Sequence, residues 1–491
     1  MNTLLTWLFD HATHIGLTLW MAIGIATAAH ALLTRRDPRA AWGWIAVCWL
    51  FPFAGPLLYF LFGIDRIRTR ARRMGLKTVG SPSPAPIEHP FDVRRFADGG
   101  SHAIPLWLEQ VVRTADTLSK LPLLGGNQVR ALFDGEQAYP AMLAAIHAAR
   151  EWIILDTYIF DNDFVGRAFV TALGDARQRG VDVRVMLDGV GRHYSLFPIT
   201  RRLRKRGIDV AIFNPLRLLP PALHINLRNH RKLLIVDGRI GFTGGMNIGA
   251  RHLTQNPQVR APASDVHFEL RGTILEQLAA AFAEDWRACC PRPWQPPVLA
   301  ATPPGEAPMG AVCRALIGGP NQDHDRIARV LQAAISAASR EVMVMTPYFL
   351  PPAEMLAELQ AAALRGVRVD IILPARNNLP FVHWASRHAL EDLLHYGVHI
   401  HEQPPPFSHS KLLVVDGVYC QIGSTNLDPR SLKLNFELNV EVYDRALAQT
   451  LAAHFNQVLS RAREISIAEL QTRSLPTRLR DALFWLFSPY L

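Results

Sequence analysis

The chain contains two copies of one short pattern, and no other feature limits its possible folds as strongly. Residues 230–249 read HRKLLIVDGRIGFTGGMNIG, and residues 409–428 read HSKLLVVDGVYCQIGSTNLD. Each copy has His-x-Lys, four further residues, Asp-Gly and a cluster of small residues that contains an asparagine. The segments before each copy also resemble one another and recur in the same order. We therefore predict that the body of the chain is a duplication that folds as two similar halves.

The local patterns within each half indicate an α/β fold. Amphipathic stretches alternate with short Val/Ile-rich runs, which are WIIL, VRVML and LLIVD in the first half and VMVM, VDIIL and LLVVD in the second. This alternation favours helices packed on largely parallel or mixed sheets. Each Asp-Gly pair suits a tight turn between strands. We predict two duplicated α/β lobes with mixed sheets flanked by helices, preceded by an N-terminal transmembrane helical hairpin.

Changes in composition divide the chain into segments. We predict a membrane anchor with two spans (1–65), a basic juxtamembrane segment and linker (66–120), the first half (121–296), a linker (297–312), the second half (313–470) and a C-terminal amphipathic tail (471–491). An apolar loop at residues 214–229 distinguishes the first half from the second, and it fits either a lipid chain at the lip of a site or an ordinary surface loop.

The N-terminus is apolar enough to enter a membrane. Two segments, at about residues 14–33 and 42–64, are each long enough to cross a hydrocarbon layer of ~30 Å as a helix. A cleaved signal peptide is the alternative, but the first ten residues contain no Lys or Arg and a second apolar segment follows at once. Pro52, Gly55 and Pro56 can break a helix, so a re-entrant hairpin remains open for the second segment.

The distribution of basic residues predicts the orientation of the anchor. The loop between the two apolar segments carries three arginines, and a heavier basic cluster follows the second: Arg66, Arg68, Arg70, Arg72, Arg73 and Lys77. The heavier cluster is expected to stay in the cytoplasm, which places the large body there too.

The composition leaves several classes of partner open. The chain has 52 basic and 42 acidic residues, for a net charge of +10, which suits nucleic acid, an anionic membrane surface or a phosphate-bearing substrate. The five cysteines form no CxxC pair and no regular framework, which argues against a zinc site or a disulfide scaffold.

The His-x-Lys pairs are the candidates for chemistry. Side chains two positions apart on a strand share a face, so His230 with Lys232, and His409 with Lys411, present an imidazole and a cation together. Such a pair suits a phosphate. If an approximate twofold brings both histidines to one pocket, they supply a nucleophile and a general acid/base, while the lysines hold the nonbridging oxygens. We predict neither a metal nor another cofactor, because the sequence offers no recognisable ligand set.

The remaining motif residues receive supporting roles. Asp237 and Asp416 lie five residues after their lysines, and an odd spacing on a strand turns a side chain to the opposite face. This favours a structural role over direct catalysis. In the small-residue clusters, Asn247, Ser424 and Asn426 are predicted to bind the substrate phosphate, because backbone can approach a ligand there and an amide can donate to phosphoryl oxygen.

The two HxKxxxxDG motifs, each followed by a Gly/Ser/Asn cluster, resemble the phospholipase D superfamily. The duplicated body behind two N-terminal apolar segments is similar to the bacterial cardiolipin synthases, and the likeness extends over essentially the whole chain. In that superfamily His230, Lys232, Asp237, His409, Lys411 and Asp416 correspond to the catalytic motif residues. The resemblance implies transfer of a phosphatidyl group from one phosphatidylglycerol to another through a phosphohistidine, with cardiolipin and glycerol as products.

The resemblance also implies roles for particular residues. His230 is expected to be the nucleophile and His409 the acid/base, although the reverse assignment remains open. In the superfamily an acidic residue further along the chain orients each histidine. Glu437 is the matching residue for His409, and Asp265 for His230, while a solvated strand carboxylate is the alternative for each.

Several alternatives remain at this stage. The same chemistry gives a phosphodiesterase that hydrolyses phospholipid or nucleic acid if water is the acceptor, and a noncatalytic lipid-binding protein is a third reading. We expect phosphatidylglycerol and anionic membrane lipid as partners, no nucleic acid, and a multi-pass protein of the bacterial inner membrane; the oligomeric state is unknown. The tail RLRDALFWLFSPYL fits an interfacial helix or a helix docked on the body.

Overall fold

The computed structural model describes most of the chain as two separate units. The described residues are 2–35, 38–51, 53–63, 92–93, 104–194, 198–215, 227–290, 294–297, 310–320 and 325–488. The first unit is Met1–Arg73 and the second is Met74–Leu491. Most of the predicted basic linker, the interior of the 214–229 loop and residues 301–309 lie outside the described residues.

The first unit is helical and apolar. It contains α1 (Asn2–Thr34), α2 (Pro38–Leu50), α3 (Ala54–Leu58) and a π-helical turn (Tyr59–Gly63). Residues His14–Thr34 of α1 are long and apolar enough to cross a membrane, and 11% of their most apolar window is buried within the protein. The side chains of this segment therefore face the surroundings rather than a protein core.

The second apolar segment does not form the uninterrupted span predicted for residues 42–64. Its helix ends at Leu50, and Phe53 adopts a left-handed conformation with φ 60°. The chain then folds back, because the rings of Trp44 and Tyr59 lie 5.5 Å apart and a Cβ on Gly55 would meet the carbonyl oxygen of Val47. Prolines at 52 and 56 remove amide donors that a continuous helix requires.

The second unit is built around one continuous sheet. Its first half contains β1 (Leu124–Phe133), β2 (Trp152–Thr157), β3 (Asp182–Asp188), β4 (Asp209–Phe213), β5 (Leu233–Val236), β6 (Ile240–Gly244), β7 (Ala263–Ser264) and β8 (Val266–Arg271). Its second half contains β9 (Ala311–Gly318), β10 (Glu341–Met345), β11 (Arg368–Pro374), β12 (His399–Gln403), β13 (Phe407–Ser408), β14 (Leu412–Val415), β15 (Tyr419–Gly423), β16 (Glu437–Tyr443) and β17 (Arg463–Glu464).

The strand order repeats about the centre of this sheet. Among the described residues, fifteen strands follow the order β17-β12-β11-β10-β14-β15-β16-β9-β1-β8-β6-β5-β2-β3-β4. In each half three strands are parallel (β2, β3 and β4; β10, β11 and β12), and the rest pair antiparallel. The predicted mixed α/β lobes are confirmed, and antiparallel pairing of β1 with β9 joins them into one sheet.

Helices cover the sheet in both halves. They are α4 (Glu109–Ser119), α5 (Asp134–Ala148), α6 (Phe164–Gln178), α7 (Thr200–Lys205), α8 (Ile274–Cys289), α9 (Arg326–Ala337), α10 (Ala353–Leu364), α11 (Pro380–His395), α12 (Arg445–Leu459), α13 (Ile467–Gln471) and α14 (Leu475–Leu486). Buried apolar side chains form one large hydrophobic cluster in each half, and Leu350, Val382 and Ala385 form a smaller one in the second half. Each half therefore has its own core.

One part of the predicted linker 66–120 is a folded element. Helix α4 buries Val111, Val112 and Ala115 in the hydrophobic cluster of the second half. Arg314 on β9, fully buried, binds Asp116 of this helix and Glu441 of β16. The linker prediction is wrong for this helix, because its apolar positions lie on one helical face and bury against α9.

The Asp-Gly pairs form the predicted turns. Asp237 and Gly238 connect β5 to β6 with φ of 52° and 61°, and Asp416 and Gly417 repeat this geometry with φ of 51° and 65°. Positive φ at both residues is the signature of a hairpin turn that favours Asp-Gly. The twist of the two hairpins therefore follows directly from the sequence.

Candidate functional site

The two halves exchange backbone hydrogen bonds immediately before the motif histidines. The amide of His230 donates to the carbonyl of Phe436 at 2.9 Å, and the amide of His409 donates to the carbonyl of Ser264 at 2.7 Å. Strand β13, which precedes His409, pairs in parallel with β7 of the first half. Each histidine is therefore held against a segment of the other half.

This exchange brings the orienting carboxylates from opposite halves. The Nδ1 of His230 lies 3.1 Å from Oε2 of Glu437, and the Nδ1 of His409 lies 2.7 Å from Oδ2 of Asp265. The predicted partners within each half, Glu437 for His409 and Asp265 for His230, are therefore wrong. The correct residues were identified but assigned to the wrong histidines, because the crossover depends on long-range pairing between the halves.

The two motif histidines meet at one cavity, and each motif lysine lies against its own histidine. His230 and His409 both line a cavity of about 980 Å³ in the second unit. The Nζ of Lys232 donates to the carbonyl of His230, and the Nζ of Lys411 donates to that of His409, both at 2.6 Å. Lys411 Nζ also lies 3.2 Å from each ring nitrogen of His409. Each motif therefore presents its imidazole and ammonium together, as the parity argument predicted.

The mouth of the cavity carries exposed apolar side chains from both halves. Phe164 and Tyr194 come from the first half, and Leu379 and Phe381 from the second; each lines the cavity and is more than 40% exposed. We call these four residues the apolar rim. Arginines also line the cavity among the described residues: Arg228, Arg251, Arg376 and Arg430. Three aspartates line it as well, and Arg251 pairs with one of them, Asp161. An apolar mouth over histidines and arginines fits a ligand with an anionic headgroup and hydrocarbon chains.

The two histidines differ in their electrostatic environment. Burial lowers the pKa of His230, although Glu437 acts against this shift. Burial lowers the pKa of His409 well below its ordinary value, and Lys411 and Lys232 act in the same direction. Both environments therefore favour the neutral imidazole. With Nδ1 facing a carboxylate, the lone pair is left on Nε2.

The carboxylates differ as well. Burial acts to raise the pKa of Glu437, but His230, Lys232 and the hydroxyl of Ser424 outweigh it and hold this pKa below its ordinary value. Burial raises the pKa of Asp265, although Lys411 opposes this shift. Glu437 is therefore the more firmly ionised of the two.

The lysines carry depressed pKa values. Burial lowers the pKa of Lys232 to about 7 and the pKa of Lys411 to about 8. The positive charge of Lys411 lowers the pKa of Lys232 further. Burial and the mutual repulsion of these cations therefore keep Lys232 only partly protonated near neutral pH.

The predicted phosphate-binding residues separate into two groups. Asn247 and Asn426 line the cavity, and the Oδ1 of Asn247 accepts from the amide of Ile159 at 3.1 Å, which leaves its amide nitrogen available. Ser424 is fully buried, and its hydroxyl donates to Glu437 at 2.5 Å. The prediction that Ser424 binds phosphate is wrong, because its side chain points to the carboxylate behind His230.

The first half has a glycine where the second half has Ser424. Gly245 occupies the position that Ser424 has in the second motif, and a Cβ there would lie 2.5 Å from the carboxylate of Asp265. The shorter carboxylate therefore pairs with glycine and the longer one with serine. This asymmetry was visible in the motifs as GGMN against GSTN, but its meaning depends on the tertiary structure.

The motif aspartates act outside the cavity. The carboxylate of Asp237 accepts from the amides of residues 150, 151 and 152 at 2.8 Å each. The carboxylate of Asp416 accepts from the amides of Ser339, Arg340 and Glu341 at 2.8 Å each. Each aspartate thus ties its hairpin to the start of the adjacent strand, in agreement with the structural role that parity favours.

Two cavity residues were missed by the sequence analysis. The ring of Tyr158 lies 5.2 Å from the ring of His230 and 5.7 Å from Nζ of Lys232. His252, fully buried, lies 5.9 Å from the ring of His409; its Nδ1 is 3.2 Å from the carbonyl of Ala263, and its Nε2 has no hydrogen-bond partner. Tyr158 ends the recurring segment WIILDTY, whose counterpart in the second half is VMVMTPY, so the repeat was a signal for it. His252 has no histidine counterpart in the second half, so the sequence carries no signal for it.

The described residues contain no group of three or more His, Cys, Asp or Glu side chains placed to hold a metal ion. The histidines at the cavity, the motif lysines that lie against them, and arginines such as Arg376 are the candidates to bind an anion.

Comparisons with known proteins agree with this architecture. The family described as "Cardiolipin synthase, PLD-like domain" matches residues 142–286 and 331–459, and "Phospholipase_D-nuclease N-terminal" matches residues 16–63. Cardiolipin synthase A of Pseudomonas putida is 31% identical over 471 residues, which cover 96% of each chain. The major cardiolipin synthase ClsA of Bacillus subtilis (strain 168) is 31% identical over 490 residues, or 97% of this chain and 98% of that protein.

A solved structure shows the same fold at lower identity. The phosphatidylserine synthase of Haemophilus influenzae Rd KW20 has a TM-score of 0.62 and 15% identity, and the match covers 78% of this chain and 100% of that one.

Proposed function

This chain is a phosphatidyltransferase that belongs to the cardiolipin synthase family, and from that premise we propose that its substrate is phosphatidylglycerol. One molecule donates its phosphatidyl group to the terminal hydroxyl of a second, which gives cardiolipin and glycerol. The observation that carries this proposal is the meeting of His230 and His409 at one cavity beneath the apolar rim. The relatives are named as cardiolipin synthases, which supports the same reaction.

The first step forms a covalent enzyme intermediate. The Nε2 of His230 attacks phosphorus while Glu437 holds Nδ1, and the bond from phosphorus to the glycerol oxygen breaks. His409 gives a proton to the departing oxygen, so that glycerol leaves and a phosphatidyl-histidine remains. Lys232, Lys411, Asn247 and Asn426 stabilise the charge on the nonbridging oxygens.

The second step reverses these roles on a new acceptor. His409, now neutral, takes the proton of the terminal hydroxyl of a second phosphatidylglycerol, and the oxygen attacks phosphorus. The bond from nitrogen to phosphorus breaks, and cardiolipin is released with His230 restored. Burial and nearby cations lower the pKa of His409, but the negative charge of a substrate phosphate favours its protonated form, so it can serve as an acid.

His252 is placed to position the hydroxyl that reacts. Because its Nδ1 faces the carbonyl of Ala263, that nitrogen carries the proton and Nε2 is an acceptor. A hydroxyl is the donor that fits it, and His409 lies next to it. We assign His252 as a positioning residue for the glycerol hydroxyl.

The finer localisation is part of the same proposal. The chain is associated with a membrane through its apolar N-terminus. We propose the bacterial inner membrane, with the catalytic body in the cytoplasm. The basic residues that follow the second apolar segment in the sequence support this orientation.

Product analysis tests the proposal. Purified full-length protein is incubated with phosphatidylglycerol vesicles, and lipids and water-soluble products are separated. We expect equal amounts of free glycerol and a four-chain lipid. Phosphatidate with glycerol would instead identify the protein as a hydrolase, and activity that depends on a divalent cation would contradict the scheme.

A further inference from the structure

The C-terminal helix α14 has two apolar faces, and only one of them packs against the protein. On the packed face, the ring of Phe484 stacks on Phe381 at 5.0 Å and lies 5.0 Å from the ring of Trp384. The guanidinium of Arg480 lies 4.4 Å from the ring centre of Trp384, and the buried carboxylate of Asp481 accepts from Arg473 and Arg480. These contacts fix α14 on α11.

The other face is an exposed apolar stripe. Its members follow the helical spacing of three and four residues, and each is more than half exposed: Leu475, Leu479, Leu483, Leu486 and Phe487. A folded protein rarely leaves so many large aliphatic side chains together in water unless they contact a partner. The stripe is not needed for packing, because Phe484 and Trp485 already make the contacts to α11.

The packed face of α14 adjoins the mouth of the catalytic cavity. Phe484 of α14 rests on Phe381, and Phe381 belongs to the apolar rim. Leu379 lies two residues earlier on the same rim. The helix that carries the stripe is therefore packed directly beside the opening above the motif histidines.

We propose that α14 and the apolar rim form one membrane-docking surface, which seats the mouth of the catalytic cavity on an anionic bilayer. The identity of the occupant rests on the proposed function, because a cavity that transfers phosphatidyl groups must take lipids with two acyl chains from a bilayer. In this arrangement α14 lies in the membrane interface with the stripe among the acyl chains. The headgroup of a donor or acceptor lipid can then reach the histidines while its acyl chains remain partly in the bilayer.

The charges around the stripe favour an anionic bilayer over a protein partner. Arg478 is exposed on α14, and Arg376 is exposed at the cavity mouth. An apolar helical face beside arginines is the composition of helices that lie on anionic membranes. The exposed rim residues from both halves extend the same surface beyond the helix.

A fluorescence experiment on the full-length protein tests docking directly. Cys289→Ser and Cys290→Ser remove the two partly exposed thiols, while Cys48, Cys313 and Cys420 are buried. In this background Leu479→Cys is labelled with an environment-sensitive fluorophore, and Leu364→Cys on α10, equally exposed but outside the stripe and rim, is the matched control. The protein is placed in nanodiscs of phosphatidylglycerol and phosphatidylcholine with or without brominated acyl chains.

Docking predicts a difference between the two labels. The label at 479 is expected to shift to shorter wavelength and to be quenched by brominated chains, while the label at 364 reports water in both discs. Equal, unquenched emission at both positions would overturn the proposal. Because this readout needs no turnover, it stands even if the product assay finds no cardiolipin.

A kinetic experiment separates docking from chemistry. The double variant Leu479→Gln/Leu483→Gln is compared with Leu364→Gln on long-chain phosphatidylglycerol in nanodiscs and on a short-chain, monomeric phosphatidylglycerol. We expect a roughly tenfold lower rate on the bilayer substrate for the double variant and an unchanged rate on the monomeric one. If the double variant lost activity equally on both substrates, the stripe would act through folding. If it kept the rate of the Leu364→Gln control on both substrates, the stripe would not contact lipid. Either outcome would overturn the proposal.

Discussion

The two motif histidines have different carboxylate partners, although the motif that carries them is repeated. Both histidines keep Nδ1 against a carboxylate, but His230 faces Glu437, which Ser424 also supports, whereas His409 faces Asp265, whose pKa burial raises. A firmly ionised partner holds the imidazole of His230 in one tautomer with Nε2 ready to attack. These differences favour His230 as the nucleophile.

A substrate whose leaving group needs no general acid can show which histidine is the nucleophile. A phosphatidyl ester of p-nitrophenol has a leaving group that departs without a proton. We expect His409→Ala to form the covalent phosphatidyl-enzyme from this ester and to accumulate it, while His230→Ala forms none. Acid-quenched protein analysed by mass spectrometry gives the modified residue. An adduct on His409 in the His230→Ala variant would reverse the assignment.

His252 makes a different prediction, because it acts on the acceptor rather than on phosphorus. His252→Phe keeps a ring in the cavity but removes the acceptor nitrogen. We expect a roughly tenfold lower rate of transfer to phosphatidylglycerol, with formation of the covalent intermediate from the p-nitrophenyl ester unchanged. His454→Phe, a partly buried histidine outside this cavity, is the control. A loss in both steps would indicate a packing role.

At the level of elements, the two Asp-Gly hairpins are anchored by their own aspartates. Burial acts to raise the pKa of Asp416, but hydrogen bonds from the amides of Glu341 and its neighbours outweigh it and hold this pKa below its ordinary value. The carboxylate therefore stabilises the folded state above about pH 4, and the stabilisation is lost as pH falls through the folded pKa. This stabilisation comes from the hydrogen bonds that join the β14–β15 hairpin to the start of β10.

This link predicts a pH-dependent loss of stability. Asp416→Ala leaves buried amide donors without a partner, so we expect the free energy of unfolding at pH 7 to fall by about 2–3 kcal/mol. The difference from the wild-type protein is expected to shrink toward pH 3. Denaturant midpoints of both proteins at the two pH values measure it, with exposed Asp209→Ala as control. A difference that does not depend on pH would contradict the role of the charge.

At the level of the whole molecule, one catalytic site is assembled from two halves that each have their own core. The crossover of the segments before His230 and His409 makes each half incomplete, because the carboxylate of each histidine belongs to the other. The same assembly concentrates Lys232 and Lys411, whose pKa values fall to about 7 and about 8. An anion bound among these groups would therefore favour their protonated forms.

This arrangement predicts proton uptake when an anion binds. Inorganic phosphate raises the pKa of the surrounding lysines and histidines, so the protein takes up protons between about pH 7 and pH 9. Calorimetric titration in two buffers with different ionisation enthalpies measures the number of protons. We expect uptake in the wild-type protein and a clear decrease in Lys232→Met. Proton release, or no linkage at pH 8, would contradict the depressed pKa values.

Much of this organisation could be predicted from the sequence, and the limits are physical. Side-chain alternation along a strand is local, so the shared face of His and Lys, the turned-away aspartates and the Asp-Gly turns followed from spacing alone. The repeat of the motif also predicted two similar α/β halves and a shared cavity. The break in the second apolar segment was signalled by its prolines, although the fold-back between Trp44 and Tyr59 was not.

The sequence by itself determined that each motif presents a histidine and a lysine together, because residue type and local spacing decide what a strand presents on one face. Only the tertiary structure decided which carboxylate serves which histidine, that Ser424 turns to Glu437 rather than to substrate, and that α4 and α14 pack on the body. These features depend on contacts between residues far apart in the chain. Their free energy comes from how the two halves dock, which no local pattern encodes.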